Sequence, residues 1–310
     1  LRKFMPRGPE RKPESFGEKL EKGIEKARGL LTRNEKMPSS AKALLKDRAE
    51  RKKKLNDFCK DFYESVQAGK EPSAEMVSEL EAMFEVAPGQ EKLRGVLLFA
   101  LEAFRKAPLR KDGSLLATHS LELYKKAKSL GIEDLDVHAT VLLHDTMEDT
   151  DATLEDLRLL DEKIGADFSK FALVMTEKRD ESEDRDMDLV KFVRQLRAAE
   201  GVPEGRKRAI VLAEELDRID DLSDIEYLTA KLDSPEKREE ALEKLAQKFA
   251  KCRFTIDRVT EGSEEDEDVE NLKEVFNAVY RHQIDEYKIP EDRIEEIKAG
   301  VYESKNRELS

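Results

Sequence analysis

Apolar residues recur at intervals of three and four along most of this chain, and that period constrains the fold before any motif is considered. Residues 91–106 are the clearest case: Leu93, Val96, Leu97, Leu101 and Phe104 fall on one helical face. Residues 41–68 repeat the pattern with Leu44, Leu45, Leu55, Phe58, Phe62 and Val66. Pro72-Ser73 opens a further helix through Met76, Leu80 and Phe84, which Pro88-Gly89 stops. Helices are also predicted over 153–160, 164–176, 189–199, 206–227, 234–254, 272–287 and 290–302. Only 14 Gly and 10 Pro interrupt 310 residues. The expectation is an all-α helical bundle.

Charge and composition exclude several classes. Charged residues make up 41% of the chain and hydrophobic residues 38%, with no Trp, which suits a soluble protein long enough to bury a real core. No apolar run approaches the roughly 20 residues of a membrane helix, and no secretory signal is present. The first residue is Leu, which reads as the mark of processing or trimming. Cys59 and Cys252 stand far apart without metal-ligand spacing. Both are expected to be small buried hydrophobes in a reducing, cytoplasmic compartment. The net charge of −13 is unevenly spread, with residues 1–60 basic and residues 261–270 mostly acidic. The basic charge lies on a tail rather than on a folded face interleaved with aromatics, which argues against a nucleic-acid partner. Residues 1–40, with Pro6, Pro9, Pro13 and Pro38, are expected to be largely disordered apart from a short helix over 16–31. The basic run 48–54 reads as a solvated helix face.

The chemistry gathers in His138-Ala-Thr-Val-Leu-Leu-His144-Asp145-Thr-Met-Glu148-Asp149-Thr150. The chain has only four histidines. Two of them fall in this stretch, and His119 lies one helix upstream. On a continuous helix His144 stacks with Glu148, and Asp145 with Glu148 and Asp149. Such a surface can hold a divalent cation and keep a spare acid or base beside it. His138 lies two turns before Asp145, roughly 10 Å along the helix, too far to share one ion. It is expected in the core or at a second site. His282 stands alone and is assigned no role. Upstream, Pro108 to Gly113 forms a turn that delivers His119 on a helix starting near Thr118, with Arg110 and Lys111 offering positive charge to a phosphate-rich ligand. Residues 177–188 are extremely polar and are expected as a loop, mobile or lying over the site. There is no Gly-rich phosphate loop, nucleophile elbow, CxxC pair or internal repeat.

Arg110-Lys-x-Gly113 with His119, then Leu-Leu-His144-Asp145-x-x-Glu148-Asp149-Thr150, then Asp217-Arg218-Ile219, resembles the hydrolase domain of the RelA/SpoT alarmone enzymes. These belong to the HD superfamily of metal-dependent phosphohydrolases. The likeness covers about residues 90–255, and its motif order fits the small stand-alone alarmone hydrolases. It implies an HD-domain helical bundle over 91–255, with N-terminal helices at 41–90 and an acidic linker and C-terminal helical pair at 256–310. It implies one divalent metal, typically Mn²⁺, held by His119, His144, Asp145 and Asp217. It also implies that Glu148 and Asp149 activate or position the attacking water, and that Arg110 and Lys111 contact the guanine nucleotide. The expected reaction removes the 3′-pyrophosphate of guanosine tetra- or pentaphosphate; the alternatives are an HD phosphohydrolase acting on another nucleotide and a non-catalytic nucleotide-binding regulatory protein.

The fourth motif departs from the family's Lys-Leu-Ala-Asp-Arg-Leu-x-Asn. Glu214 stands for the Lys, and Asp221 stands for the substrate-side Asn. A shifted register makes Glu214 the ligand instead. Asp217 is preferred because Ile219, Leu222 and Ile225 continue the family's apolar spacing. On chemistry alone, two imidazoles and two carboxylates with open positions suit Mn²⁺, Fe²⁺ or Zn²⁺.

Overall fold

The computed structural model describes residues 39–45, 48–66, 71–110, 113–177, 184–263 and 265–308. The tail through residue 38, the helix expected over 16–31, Lys111 and residues 178–183 lie outside them. The described chain is all-α and contains no strand. Three helices form the N-terminal part: α1 (Ser39–Leu45), α2 (Arg48–Ser65) and α3 (Ala74–Met83). Ser73 caps α3 by accepting from the Met76 amide, as the Pro-Ser signal implies.

Next come α4 (Glu91–Phe104) and α5 (Ala117–Ser129). Gly113 takes φ +81°, a value that favours glycine, and its amide donates to the Arg110 carbonyl. The buried face of α4 carries Leu93, Val96, Leu97, Leu101 and Phe104, the same five positions that the period selects. Gly95 is small for a packing reason: a Cβ there would meet Ile164 Cγ2 at 2.6 Å.

The site-bearing stretch is not one helix. Helix α6 (Leu135–Leu143) stops, His144 and Asp145 form a turn, and α7 (Thr146–Asp149) is a single helical turn. Asp145 has ψ −2°, which ends the regular ladder, and the Glu148 and Asp149 amides both donate to its carbonyl. Helix α8 (Leu154–Ile164) follows behind a Thr153–Asp156 capping box and ends at Gly165. The helix expected to run on from Ile164 instead starts afresh as α9 (Ser169–Met175). Asp161 takes the Phe168 and Ser169 amides and so caps α9.

The polar stretch 177–188 is not all loop: α10 (Arg185–Ala198) begins inside it, capped by Asp184. The helix expected over 206–227 is divided. A 3-10 turn at Glu204–Arg206 precedes α11 (Arg208–Ser223), and α12 (Glu226–Thr229) is separate. Then come α13 (Pro235–Val259), α14 (Glu267–Tyr287), which absorbs the end of the acidic linker, and α15 (Glu291–Ile297). A π-helical segment, Lys298–Glu303, leads into α16 (Ser304–Glu308).

Helix α11 is the axis of the molecule, packed by α5, α6, α13 and α14. Buried apolar side chains from Ala41 to Tyr302 form one connected core, so the helices at both ends share it with the centre. Fully buried Phe84, Phe104, Phe171, Phe249, Phe254 and Phe276 dominate that core, each worth about 1.5–3 kcal/mol relative to exposure. No helix among the described residues is long and apolar enough to cross a membrane.

Candidate metal centre

Three elements meet at one point: the first turn of α5 brings His119, the α6–α7 turn brings His144 and Asp145, and α11 brings Asp217. One donor atom from each of His119, His144 and Asp217 can be chosen so that all lie within 4.8 Å of one another. His119 Nε2 is 3.1 Å from Asp217 Oδ1 and 3.8 Å from Asp145 Oδ2. His144 Nε2 is 3.1 Å from the same Asp145 oxygen, and the two imidazole centroids are 5.3 Å apart. The four residues expected to act together are therefore brought together, Asp145 standing slightly outside the three-residue group.

Each imidazole is oriented through its other nitrogen. His144 Nδ1 lies 2.9 Å from the Val141 carbonyl, which can only accept, so Nδ1 carries the proton. Nε2 is thereby turned inward, where it is buried and faces Asp145 Oδ2 at 3.1 Å without hydrogen-bond geometry. A buried imidazole nitrogen held against carboxylates without hydrogen-bond geometry is a donor arrangement that suits a divalent cation. His119 Nδ1 donates to Asp220 Oδ2 at 3.0 Å, the carboxylate–histidine pairing that accompanies metal-binding imidazoles. Asp220 in turn takes the ammonium of Lys126.

Electrostatics favour positive charge here. Burial opposes protonation of His119, yet hydrogen bonds to Asp217 and Asp220 override it and raise the imidazole to about 10. His144 is also raised, with Asp145 outweighing burial. Burial pushes the Asp145 and Asp217 carboxyls up, but neighbouring cations win: His144 holds Asp145 low, and Arg218 and His119 hold Asp217 low. A pair of carboxylates that draws a proton to the imidazoles draws a metal cation for the same Coulombic reason.

Of the two registers left open for the last ligand, only one reaches the centre. Glu214 is directed to Arg218, its Oε1 accepting from Nε at 2.7 Å. Arg218 also holds Asp217 Oδ2 at 2.8 Å and Asp221 Oδ2 at 2.7 Å, and Lys248 adds a contact to Asp221 at 3.1 Å. The negative charges that set this motif apart are thus both neutralised within the fold.

Glu148 and Asp149 lie one turn past Asp145, on the wall of a groove of about 480 Å³ that Phe99, Glu102, Lys106 and Pro108 also line. The Glu177 amide donates to Glu148 Oε1, which fixes that carboxylate at the end of the polar stretch. Arg110 is tied to Asp224 Oδ2 at 3.3 Å. His138 is a core residue: its Nε2 donates to the Ile132 carbonyl at 2.8 Å and its ring meets Tyr124 at 4.9 Å between centroids. Burial lowers its pKa. His282 is exposed.

Sequence reasoning missed Asp220, Lys126 and Arg48. The first was detectable, since Asp220 follows Asp217 by three and so shares its face. Arg48 was not, being far away in the chain and within a run that reads as solvated. No protein-family model, curated protein or solved structure matches this chain.

Proposed function

We propose that this protein is a metal-dependent phosphohydrolase of the HD type, and that it removes the 3′-pyrophosphate from guanosine tetra- or pentaphosphate. The observation that carries the reading is the pair of imidazoles, each held through Nδ1, with their Nε2 atoms converging on Asp145 and Asp217. His119, His144, Asp145 and Asp217 would hold the ion, Mn²⁺ by resemblance, with Fe²⁺ or Zn²⁺ chemically admissible. A divalent cation supplies such a site with an acidified water and a Lewis-acid contact to a phosphoryl oxygen.

The chain's own groups account for the rest. In the reaction the water oxygen bonds to phosphorus, the bond from phosphorus to the 3′-oxygen breaks, and pyrophosphate departs as the 3′-hydroxyl regains a proton. Glu148, steadied by the Glu177 amide, is suited to take the water's proton, and Asp149 beside it to orient that group. The groove lining carries Glu102, Glu148, Asp149, Asp151 and Asp156 against Lys106. That balance repels bare phosphate, and the contact with the nucleotide's anionic part is left to the basic pair that the resemblance names, Arg110 and Lys111.

The test is release of pyrophosphate from guanosine tetraphosphate by purified protein with added Mn²⁺. Release that chelator abolishes and His144→Ala eliminates is expected. Mn²⁺-dependent turnover of another nucleotide, with none of the alarmone, would instead support a related phosphohydrolase. Asp221 favours that second reading, since it puts a carboxylate tied to Arg218 and Lys248 where the resemblance has a carboxamide.

A further inference from the structure

Helix α2 begins with a charge where an apolar residue would be expected. Arg48 is its first residue and is only 7% exposed, although it opens a run that is otherwise strongly basic. The rest of that run behaves differently. Arg51 donates to the Leu44 carbonyl at 2.6 Å, and Lys54 pairs with Glu50 in solvent at 2.7 Å. Lys52 reaches the edge of the same site, 3.6 Å from Asp224, but Arg48 is the residue of the run that is buried, between α5 and α11. There its guanidinium lies 3.8 Å from Glu122, 3.5 Å from Asp220 and 3.3 Å from Asp224. Burying a guanidinium is costly, and it persists only where carboxylates compensate it. Here Nε and Nη2 make no hydrogen bond, so the contacts to Glu122 and Asp220 act through charge.

One of those carboxylates has a further duty. Asp220 Oδ2 accepts from His119 Nδ1, while Oδ1 faces both Lys126 and Arg48. Two cations on one oxygen fix the rotation of the carboxylate. The other oxygen is thereby aimed at His119, which sets the imidazole tautomer and points Nε2 toward Asp217 and Asp145. We infer that Arg48, supplied by the N-terminal helices, is a positioning residue of the metal centre, acting on His119 through Asp220. The inference rests on the metal reading above but not on the identity of the substrate. It assigns to α2 a part in ion binding that the spacing of the site motifs does not reveal.

A double-mutant cycle on Mn²⁺ affinity tests it, using the full chain, with binding followed by electron paramagnetic resonance of free Mn²⁺. Removing an outer partner of a metal-binding His typically costs about 10–100-fold in affinity. Arg48→Met should therefore weaken Mn²⁺ binding by about 10-fold, and Arg48→Lys should restore part of the loss. Asp220→Asn should weaken binding by a similar or larger factor. In the Asp220→Asn background, Arg48→Met should cost almost nothing further, because its route to His119 is already cut. A merely structural role for Arg48 predicts equal losses in both backgrounds, and that result would overturn the inference. So would unchanged affinity in Arg48→Met, or a wild-type chain that takes up no Mn²⁺. If Arg48→Met does not fold, Arg48→Lys against Asp220→Asn gives the same cycle with a smaller amplitude. Mn²⁺ binding that follows this pattern in a protein that turns over no nucleotide would remove the proposed activity and leave the role of Arg48 standing.

Discussion

A single helical register decides which acid faces the candidate metal centre. Glu214 and Asp217 are both on α11 and both approach Arg218, yet only Asp217 also reaches His119. Asp217→Asn should therefore lower Mn²⁺ affinity by at least about 100-fold, since a direct ligand costs more than an outer partner. Glu214→Gln should leave that affinity within about 3-fold while lowering stability, because Arg218 loses a charged partner in the interior. Titration calorimetry with Mn²⁺ on both variants separates the two registers, and the opposite ranking would restore Glu214 as the ligand. The residues that converge at the candidate centre were legible in the sequence, because scarce histidines beside carboxylates at helical spacing are hard to produce by chance. Their partners were less so. The Val141 carbonyl and Asp220 fix the imidazoles through contacts that no motif records, and Arg48 arrives from 172 positions upstream of Asp220, beyond any local pattern.

Between elements, the α11–α14 interface holds an uncommon group. Glu215 is fully buried and neither of its carboxylate oxygens has a hydrogen-bond partner. Burial pushes its pKa well above the ordinary value of 4.5, only partly offset by Lys273, so the folded chain keeps this carboxyl protonated where the unfolded chain releases the proton. The folded state then binds more protons, and stability falls as pH rises above about 4.5 toward the raised folded value. Glu215→Met removes both the orphaned oxygens and this dependence. Removing an unsatisfied buried polar group is worth about 1–3 kcal/mol, or roughly 2–6 °C in Tm. Thermal melts of the two proteins at pH 5 and pH 8 should show the larger gain at pH 8. An equal gain at both values would mean that Glu215 does not titrate as its burial requires.

Helix identity was readable at this scale because the three-to-four period survives in every long segment, and α4 buries the five residues that the pattern names. Boundaries were not, for reasons that are local. Asp145 stops a run that is apolar and helix-prone up to Leu143, and Asp161 caps α9 from the helix before it. Neither effect alters the hydrophobic pattern on which the reading depends.

For the molecule as a whole, the candidate metal centre joins α5, the turn after α6 and α11, which also meet through the core and, between α5 and α11, through the Lys126–Asp220 ion pair. An ion bound to the folded chain but not to the unfolded one stabilises by mass action, by about 2.7 kcal/mol at one hundred times its dissociation constant. Mn²⁺ at that level should raise Tm by roughly 3–6 °C, and excess chelator should reverse the shift. Differential scanning calorimetry on wild type and His144→Ala checks it: an equal rise in both would assign the effect to binding elsewhere on this acidic surface. The single core that links the terminal helices to the centre was not visible in composition, since each terminal segment reads as a helix pair able to stand apart.

The two thiols offer a way to watch that core open. Cys59 on α2 and Cys252 on α13 are both sealed from solvent, and burial pushes each to about 12, so neither presents a thiolate to an alkylating reagent in the closed molecule. Each should label only when its own helix lifts away, at a rate set by that opening. Cys59 then times the departure of the N-terminal helices and Cys252 times exposure of the interior behind α11. If the ends of the chain are bound into one cooperative unit, the pair will react in step across a urea series. If α2 can peel off by itself, Cys59 will react first.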